Sequence, residues 1–287
     1  MGERKIKISH IINPFFAKKG NRSYLDVAQP ITFKTMLRAK QVAERSNINV
    51  KLMTCQFSNK DLEGVPKAFI TTPHLEKSIL DYKDFGSLKL KLPRICDILQ
   101  KAYDHSDDDY VVYTNVDIAV MPTFYKNIYD LITKDGFESM VINRVDISKF
   151  ARRDEPFGLR NIDAAYRRSN VAGEWHSGKD CFVFKRDMIP KYNLKNIIVG
   201  IDKIGICLMS EIYKYTPEKK FLWIADGTRP ENRFTFHLGN DMSYRGPRFK
   251  GYRGHNIQEA ISIEDPIFKH LTWEAHPKKK RLSRIIL

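Results

Sequence analysis

The segment Tyr110-Val-Val-Tyr-Thr-Asn-Val-Asp-Ile-Ala-Val-Met-Pro122 opens as an unbroken run of β-branched and aromatic residues, meets oxygen-bearing side chains at Asn115 and Asp117, and ends on proline. Such a run predicts a strand from Tyr110 to Val116 that is buried on both faces, as in a parallel sheet covered by helices. Upstream, Asp107-Asp-Asp breaks a helix expected over Leu90 to Tyr103, in which Leu92, Ile95, Leu99 and Ala102 share one face. Further back, Lys5 to Pro14 reads as a buried strand closing on a polar Asn13-Pro14 corner, Ile31 to Arg45 as a helix, and Asn49 to Gln56 as a second strand. A polar passage runs from Phe57 to Lys89.

Downstream, Phe124 to Ile132 predicts a short helix, Ser139 to Asn143 and Cys181 to Phe184 predict strands, and Asn196 to Tyr213 an apolar helix. Between Asp146 and Trp175 the residues Arg152, Arg153, Arg160, Arg167 and Arg168 crowd a passage with little apolar periodicity, which reads as a surface excursion. Strands alternating with helical patterns predict an α/β fold with a mostly parallel, doubly wound central sheet. The organisation expected is one domain over residues 1–242 and a basic loop and tail, 243–287, packed on that domain.

Composition narrows the function classes. The 287 residues are 42% hydrophobic and 29% charged, with 15 Gly and 13 Pro, which suits a chain with a real core and excludes a disordered or collagen-like polymer. Lys and Arg number 49 against 34 Asp and Glu, a net charge of +15 that points to a polyanionic partner. No apolar stretch approaches the roughly 18 residues that span a bilayer, and Met1-Gly-Glu-Arg-Lys-Ile lacks the apolar run of a signal peptide. Cys55, Cys96, Cys181 and Cys207 are widely spread with no CxxC pair, so reduced thiols in a cytoplasmic protein are expected.

Asn115 and Asp117, with one residue between them at the end of a strand, could both face a hard cation such as Mg²⁺ or Mn²⁺, which would in turn hold a diphosphate. The same residues could instead cap the strand and start a turn. The window resembles the DxD region of GT-A fold glycosyltransferases, with Asn115 in place of the first Asp. Asn is a neutral and weaker ligand, so this departure bears on metal dependence. The resemblance runs from Lys5 to about Asp241 through short motifs, and implies a single Rossmann-related GT-A domain using a nucleotide-diphosphate sugar and a divalent cation. It implies that Asn13 and Pro14 sit beside the nucleobase, that Lys89, Lys91 and Arg94 approach the nucleotide, and that Asn115 and Asp117 serve donor and metal. In Glu174-Trp-His-Ser-Gly-Lys-Asp-Cys-Phe-Val-Phe it makes Asp180 the candidate general base, where an ordinary strand-start Asp is the alternative. In Phe234-Thr-Phe-His-Leu-Gly it makes His237 a late metal ligand, where a packed core histidine is the alternative.

Beyond His237, Tyr244-Arg-Gly-Pro-Arg-Phe-Lys-Gly-Tyr-Arg-Gly254 interleaves Arg245, Arg248, Lys250 and Arg253 with aromatics and glycines, and Lys278-Lys-Lys-Arg-Leu-Ser-Arg follows near the end. Read as a loop, the first could hold phosphates through its cations while its rings stack on bases, or close on the donor diphosphate. These features lead to an expected DNA partner, the acceptor being a hydroxymethylated base flipped out of the duplex. The alternatives are an anionic polysaccharide or lipid-linked acceptor, or a non-catalytic nucleic-acid binder on the same scaffold.

Overall fold

A computed structural model of the chain describes residues 5–18, 25–147, 162–227, 229–239 and 245–263. The elements follow as β1 (Lys7–Ile12), α1 (Leu25–Arg45), β2 (Asn49–Thr54), β3 (Ile70–Thr71), α2 (Ile95–Asp104), β4 (Tyr110–Thr114), β5 (Ile118–Val120), α3 (Phe124–Thr133), β6 (Ser139–Asp146), α4 (Ile162–Ala172), β7 (Glu174–Lys185), α5 (Ile204–Lys214), β8 (Phe221–Ile224), β9 (Thr235–His237) and α6 (Lys250–Ile261). Every residue of β4 is buried, as its unbroken apolar run requires.

The sheet order is β3-β2-β1-β4-β7-β6. The far edge of β6 is shared, with β8 along Ser139 to Ile142 and β9 along Val145 and Asp146, and β5 lies beyond β9. Only β7 and β5 run against the rest of the described strands. The expected mostly parallel α/β architecture is therefore present. One apolar layer joins the sheet to α1 and α3 through Phe33, Met36, Phe124 and Ile128. Another joins it to α2 and α5 through Ile98, Leu99, Phe182, Cys207 and Leu208. Each such fully buried side chain contributes about 1.5–3 kcal/mol of hydrophobic stabilisation.

Several boundaries differ from the sequence reading. The helix expected from Leu90 begins at Ile95, because Leu88-Lys-Leu-Lys-Leu has a period of two: the leucines turn inward, Lys89 and Lys91 outward, and Pro93 disfavours helix before it. Lys89 and Lys91 thus lie on an extended run. The helix expected from Asn196 begins at Ile204, since Lys195, Gly200 and Lys203 all have positive φ, which breaks a right-handed helix. The Arg-rich passage is part strand and part helix, with Arg167 and Arg168 on α4, and Arg152, Arg153 and Arg160 lie outside the described residues.

The glycine-rich segment read as a loop becomes a short 3₁₀ turn followed by α6, which carries Lys250 and Arg253. α6 is fastened to the main body. Tyr252 stacks on Phe85 with centroids 4.1 Å apart and donates to the Leu88 carbonyl at 2.7 Å. Asn256 brackets Ile198, accepting from its N–H at 2.9 Å and donating to its carbonyl at 3.0 Å. The basic stretch 278–284 lies outside the described residues. None of the described helices is long and apolar enough to cross a membrane.

Candidate functional site

Chain order and sheet order together define where a ligand can sit. From β1 the chain moves to β2 on one side and then returns to β4 on the other, a switch point of the kind beyond whose carboxyl strand ends α/β sheets place their ligand crevice. Asn13 and Pro14 follow β1, and Asn115 and Asp117 follow β4. Below the crevice His10 is sealed in, bonded to the Tyr125 hydroxyl at 2.8 Å and to Thr114 Oγ1 at 2.9 Å.

Past Thr114, the Ile118 N–H bonds back to the Asn115 carbonyl at 3.1 Å, which turns the chain into β5. β5 pairs with β9 so that Ile118 lies opposite His237, and the Leu238 N–H reaches the Asp117 carbonyl at 3.2 Å. This register brings Asp117 Oδ2 to 3.1 Å from His237 Nε2. On the other side of the ring β9 pairs with β6, Asp146 opposite His237, and Asp146 Oδ2 stands 3.5 Å from Nδ1. That distance is long for a hydrogen bond, so the contact is an ion pair.

The electrostatics follow from this enclosure. Burial and the nearby Arg144 guanidinium push the His237 imidazole down, but Asp117 and Asp146 outweigh both and hold it up at about 9. Burial pushes Asp117 up, while His237 and then Arg144 pull it below the usual carboxylate range.

A second group adjoins the first. β6 and β7 shift register between Ile142 and Asn143 and again between Asn143 and Val145, irregularities that free Arg144 and Asp180 from the regular ladder. Arg144 Nη1 donates to Asp180 Oδ2 in a buried ion pair. Asn115 Nδ2 donates to Asp180 Oδ1 at 3.0 Å, and the buried Tyr113 hydroxyl donates to Asn115 Oδ1 at 3.1 Å. Next to Asp180, the Lys179 ammonium lies over the Trp223 ring, 5.0 Å from its centroid, and burial lowers it to about 8 against the pull of Asp180.

The structure therefore gathers Asn115, Asp117, Asp180 and His237 into one site. It adds Arg144 and Asp146, which the sequence reading missed. Their signal was the charged Arg-Val-Asp ending of the apolar strand that begins at Ser139, read there as stopping at Asn143.

The other candidates are engaged with other partners or exposed. Asn13 Nδ2 donates to the Cys55 carbonyl and ties the ends of β1 and β2, and Pro14 is buried beside it. Lys89 pairs with Asp84 on the surface and Lys91 is exposed. Arg94 is engaged structurally: it grips Asp97 through two bonds of 2.8 and 2.7 Å, donates to Asn196 at 2.8 Å, and covers the Tyr82 ring. Arg245, Arg248 and Lys250 are exposed at the start of α6, and Arg253 pairs with Asp202 at 3.4 Å. Among the described residues these cations are not part of the bonded group around Asp117 and Asp180.

Asp117 and His237 suit a divalent cation. Their 3.1 Å separation matches two neighbouring ligands of an octahedral ion, about 3 Å apart for bonds of about 2.1 Å. Gly239 keeps that position open: a Cβ there would fall 2.2 Å from Asp117 Oδ2 and 3.1 Å from His237 Nε2. One carboxylate oxygen and one imidazole nitrogen form a donor set compatible with Mn²⁺, and cations that hold phosphates commonly use one or two protein ligands.

No protein-family model matches the chain, and no curated protein sequence matches it. Solved structures do share its fold. Glucosyl-3-phosphoglycerate synthase from Mycobacterium tuberculosis, in complex with Mn²⁺, UDP-glucose and phosphoglyceric acid, is 11% identical with a TM-score of 0.51, over 91% of this chain and 82% of that one. The same enzyme with Mn²⁺, UDP and glucosyl-3-phosphoglycerate is 10% identical with a TM-score of 0.51 over the same shares. The fold is of the GT-A type.

Proposed function

We propose that this protein is a divalent-cation-dependent glycosyltransferase that moves a sugar from a nucleoside-diphosphate sugar to an acceptor hydroxyl. The observation that carries this reading is the convergence of Asp117 and His237, 120 residues apart, on a point that Gly239 leaves open beyond the end of β4. The fold it shares with an enzyme solved with Mn²⁺ and UDP-glucose supports the same reading.

Asp117 and His237 would hold the cation, which when bound neutralises the charge developing on the departing diphosphate. In the transfer, a bond forms from the acceptor oxygen to the anomeric carbon, the bond from that carbon to the diphosphate oxygen breaks, and the hydroxyl proton leaves to a base. Asp180 is our candidate for that base. Arg144 and Asn115 each occupy one of its oxygens, but a carboxylate has about four acceptor positions, so Asp180 can still accept from a hydroxyl.

For the acceptor we infer a hydroxymethylated base in DNA. The net charge of +15 and the exposed Arg245, Arg248 and Lys250 support a polyanion. The test uses the full chain with Mn²⁺ and a panel of nucleotide sugars, measuring thermal shift and donor turnover. Donor stabilisation that requires Mn²⁺ and disappears in Asp117→Ala is expected, and its absence would overturn the enzyme reading. Turnover stimulated by hydroxymethylated duplex, with steeply salt-dependent binding, is expected for the DNA acceptor. Salt-indifferent binding with turnover only on a glycan would replace that acceptor with a saccharide. Stabilisation by oligonucleotide alone would indicate a non-catalytic binder.

A further inference from the structure

The cation site has one inner carboxylate fewer than a DxD motif would provide. Asn115 is neutral, and both of its polar side-chain atoms are engaged, by Tyr113 and by Asp180. Hard cations bind more tightly as the number of charged ligands rises. Arg144 adds a positive charge that acts on both Asp117 and His237, although Asp180 neutralises much of it at close range. A site built only from Asp117 and His237 would therefore be short of negative charge.

Asp146 lies where this shortfall can be met. It ends β6, opposite His237 in the ladder, and its carboxylate faces the ring nitrogen turned away from Asp117. The backbone reinforces the pairing, since the Ile147 N–H bonds to the His237 carbonyl at 3.1 Å. His237 is almost fully buried while Asp117 and Asp146 are each about one-fifth exposed, so the ring lies between two carboxylates that reach the surface on either side. A histidine that binds metal through one nitrogen is oriented, and made more basic, by an acceptor on the other.

We propose that Asp146 is a positioning residue for the cation site: its carboxylate, 3.5 Å from Nδ1, draws that edge of the His237 ring towards β6 so that Nε2 faces Asp117, and it supplies from outside the negative charge that Asn115 does not. This inference rests on the reading of Asp117 and His237 as cation ligands. With Nδ1 carrying the proton, Nε2 presents its lone pair, and the ring plane is set by β6 rather than by the crevice. Asp146 itself makes no bond to the cation.

The test measures Mn²⁺ affinity directly, by electron paramagnetic resonance of free and bound ion, on the full chain without donor or acceptor. Wild type, Asp117→Ala, Asp146→Ala and Asp146→Asn are compared, with far-UV circular dichroism reporting the fold. Asp146→Ala is expected to weaken Mn²⁺ binding about 10- to 100-fold. Asp146→Asn is expected to recover part of that loss, because its side-chain oxygen still turns a partial negative charge towards Nδ1 while the full charge is gone. A merely structural role would not give this graded order in two folded variants. If Asp117→Ala abolishes binding while both Asp146 variants stay within twofold of wild type, the inference is overturned and the cation reading stands. If Asp146→Ala does not fold, Asp146→Asn at wild-type affinity overturns it alone. Wild-type protein that binds no Mn²⁺ would overturn the cation reading, and this inference with it.

Discussion

The Asn115 side-chain amide donates to Asp180 Oδ1 at 3.0 Å, joining residues 65 positions apart. This contact gives a physical reason for an amide rather than an acid at position 115. A carboxylate there would face another carboxylate at hydrogen-bond distance, replacing a donor–acceptor contact by a like-charge one. Asn115→Asp should therefore destabilise the fold, by about 1–3 kcal/mol, the usual penalty for a buried polar group left without its partner. Asn115→Asp combined with Asp180→Asn should regain most of the loss, because the donor and acceptor exchange places. Chemical denaturation of the two single variants and the double variant checks this. Equal stability of Asn115→Asp and wild type would mean that the contact carries no weight.

Gly239 tests the cation site by shape alone. Its missing side chain leaves space beside Asp117 Oδ2 and His237 Nε2. Gly239→Ala is expected to cut Mn²⁺ affinity at least about 10-fold, since a methyl would occupy the coordination position and force the ligands apart. Mn²⁺ titration with circular dichroism as the fold control gives the measurement. Binding at wild-type strength would place the cation elsewhere.

His10 predicts an acid limit to stability. Burial lowers it from 6.5 to about 3, so it remains neutral between Tyr125 and Thr114 while the unfolded chain takes up a proton below about pH 6.5. Its folded pKa lies below its unfolded one, and the group is a base. The stability it provides is therefore complete above pH 6.5 and is lost as pH falls towards 3, at roughly 1.4 kcal/mol per pH unit. Urea denaturation from pH 7 to 4, in wild type and His10→Gln, should show a steeper decline in wild type by about that slope. Parallel curves would contradict the assignment.

Tyr252 predicts how α6 is held. Its hydroxyl donates to the Leu88 carbonyl and accepts from the Leu90 N–H at 3.0 Å. Tyr252→Phe keeps the stack on Phe85 but leaves both backbone groups without this partner, at a cost of about 1–3 kcal/mol. Hydrogen exchange should rise first in residues 88–92 and 250–261, with the centre of the sheet protected. Uniform protection in the variant would show that stacking alone suffices.

Legibility divides along physical lines. β4 was plain in the sequence, because a strand buried on both faces is dominated by β-branched and aromatic residues, and β1 and β2 carry enough apolar positions to be read beside it as an α/β sheet. The start of α2 was misplaced at Leu90 because Leu92 stands three residues before Ile95, a spacing that a helical template accepts. α6 was hidden by glycines that argue against a helix, and only the docking of Tyr252 and Asn256 onto distant chain outweighs that propensity.

The candidate site shows the same division. The end of β4 marked Asn115 and Asp117, and the resemblance to GT-A enzymes singled out Asp180 and His237. The partners of these residues were set by strand register. Asp117 meets His237 because β5 lies against β9, Asp146 faces that histidine because β9 lies against β6, and Arg144 reaches Asp180 where β6 and β7 lose register. The sequence by itself determined which segments are strands and where polar side chains end them, because burial and periodicity act over a few neighbouring residues. Which of those polar ends face one another was decided only by tertiary structure, because pairing across the sheet is a long-range choice that no local pattern records.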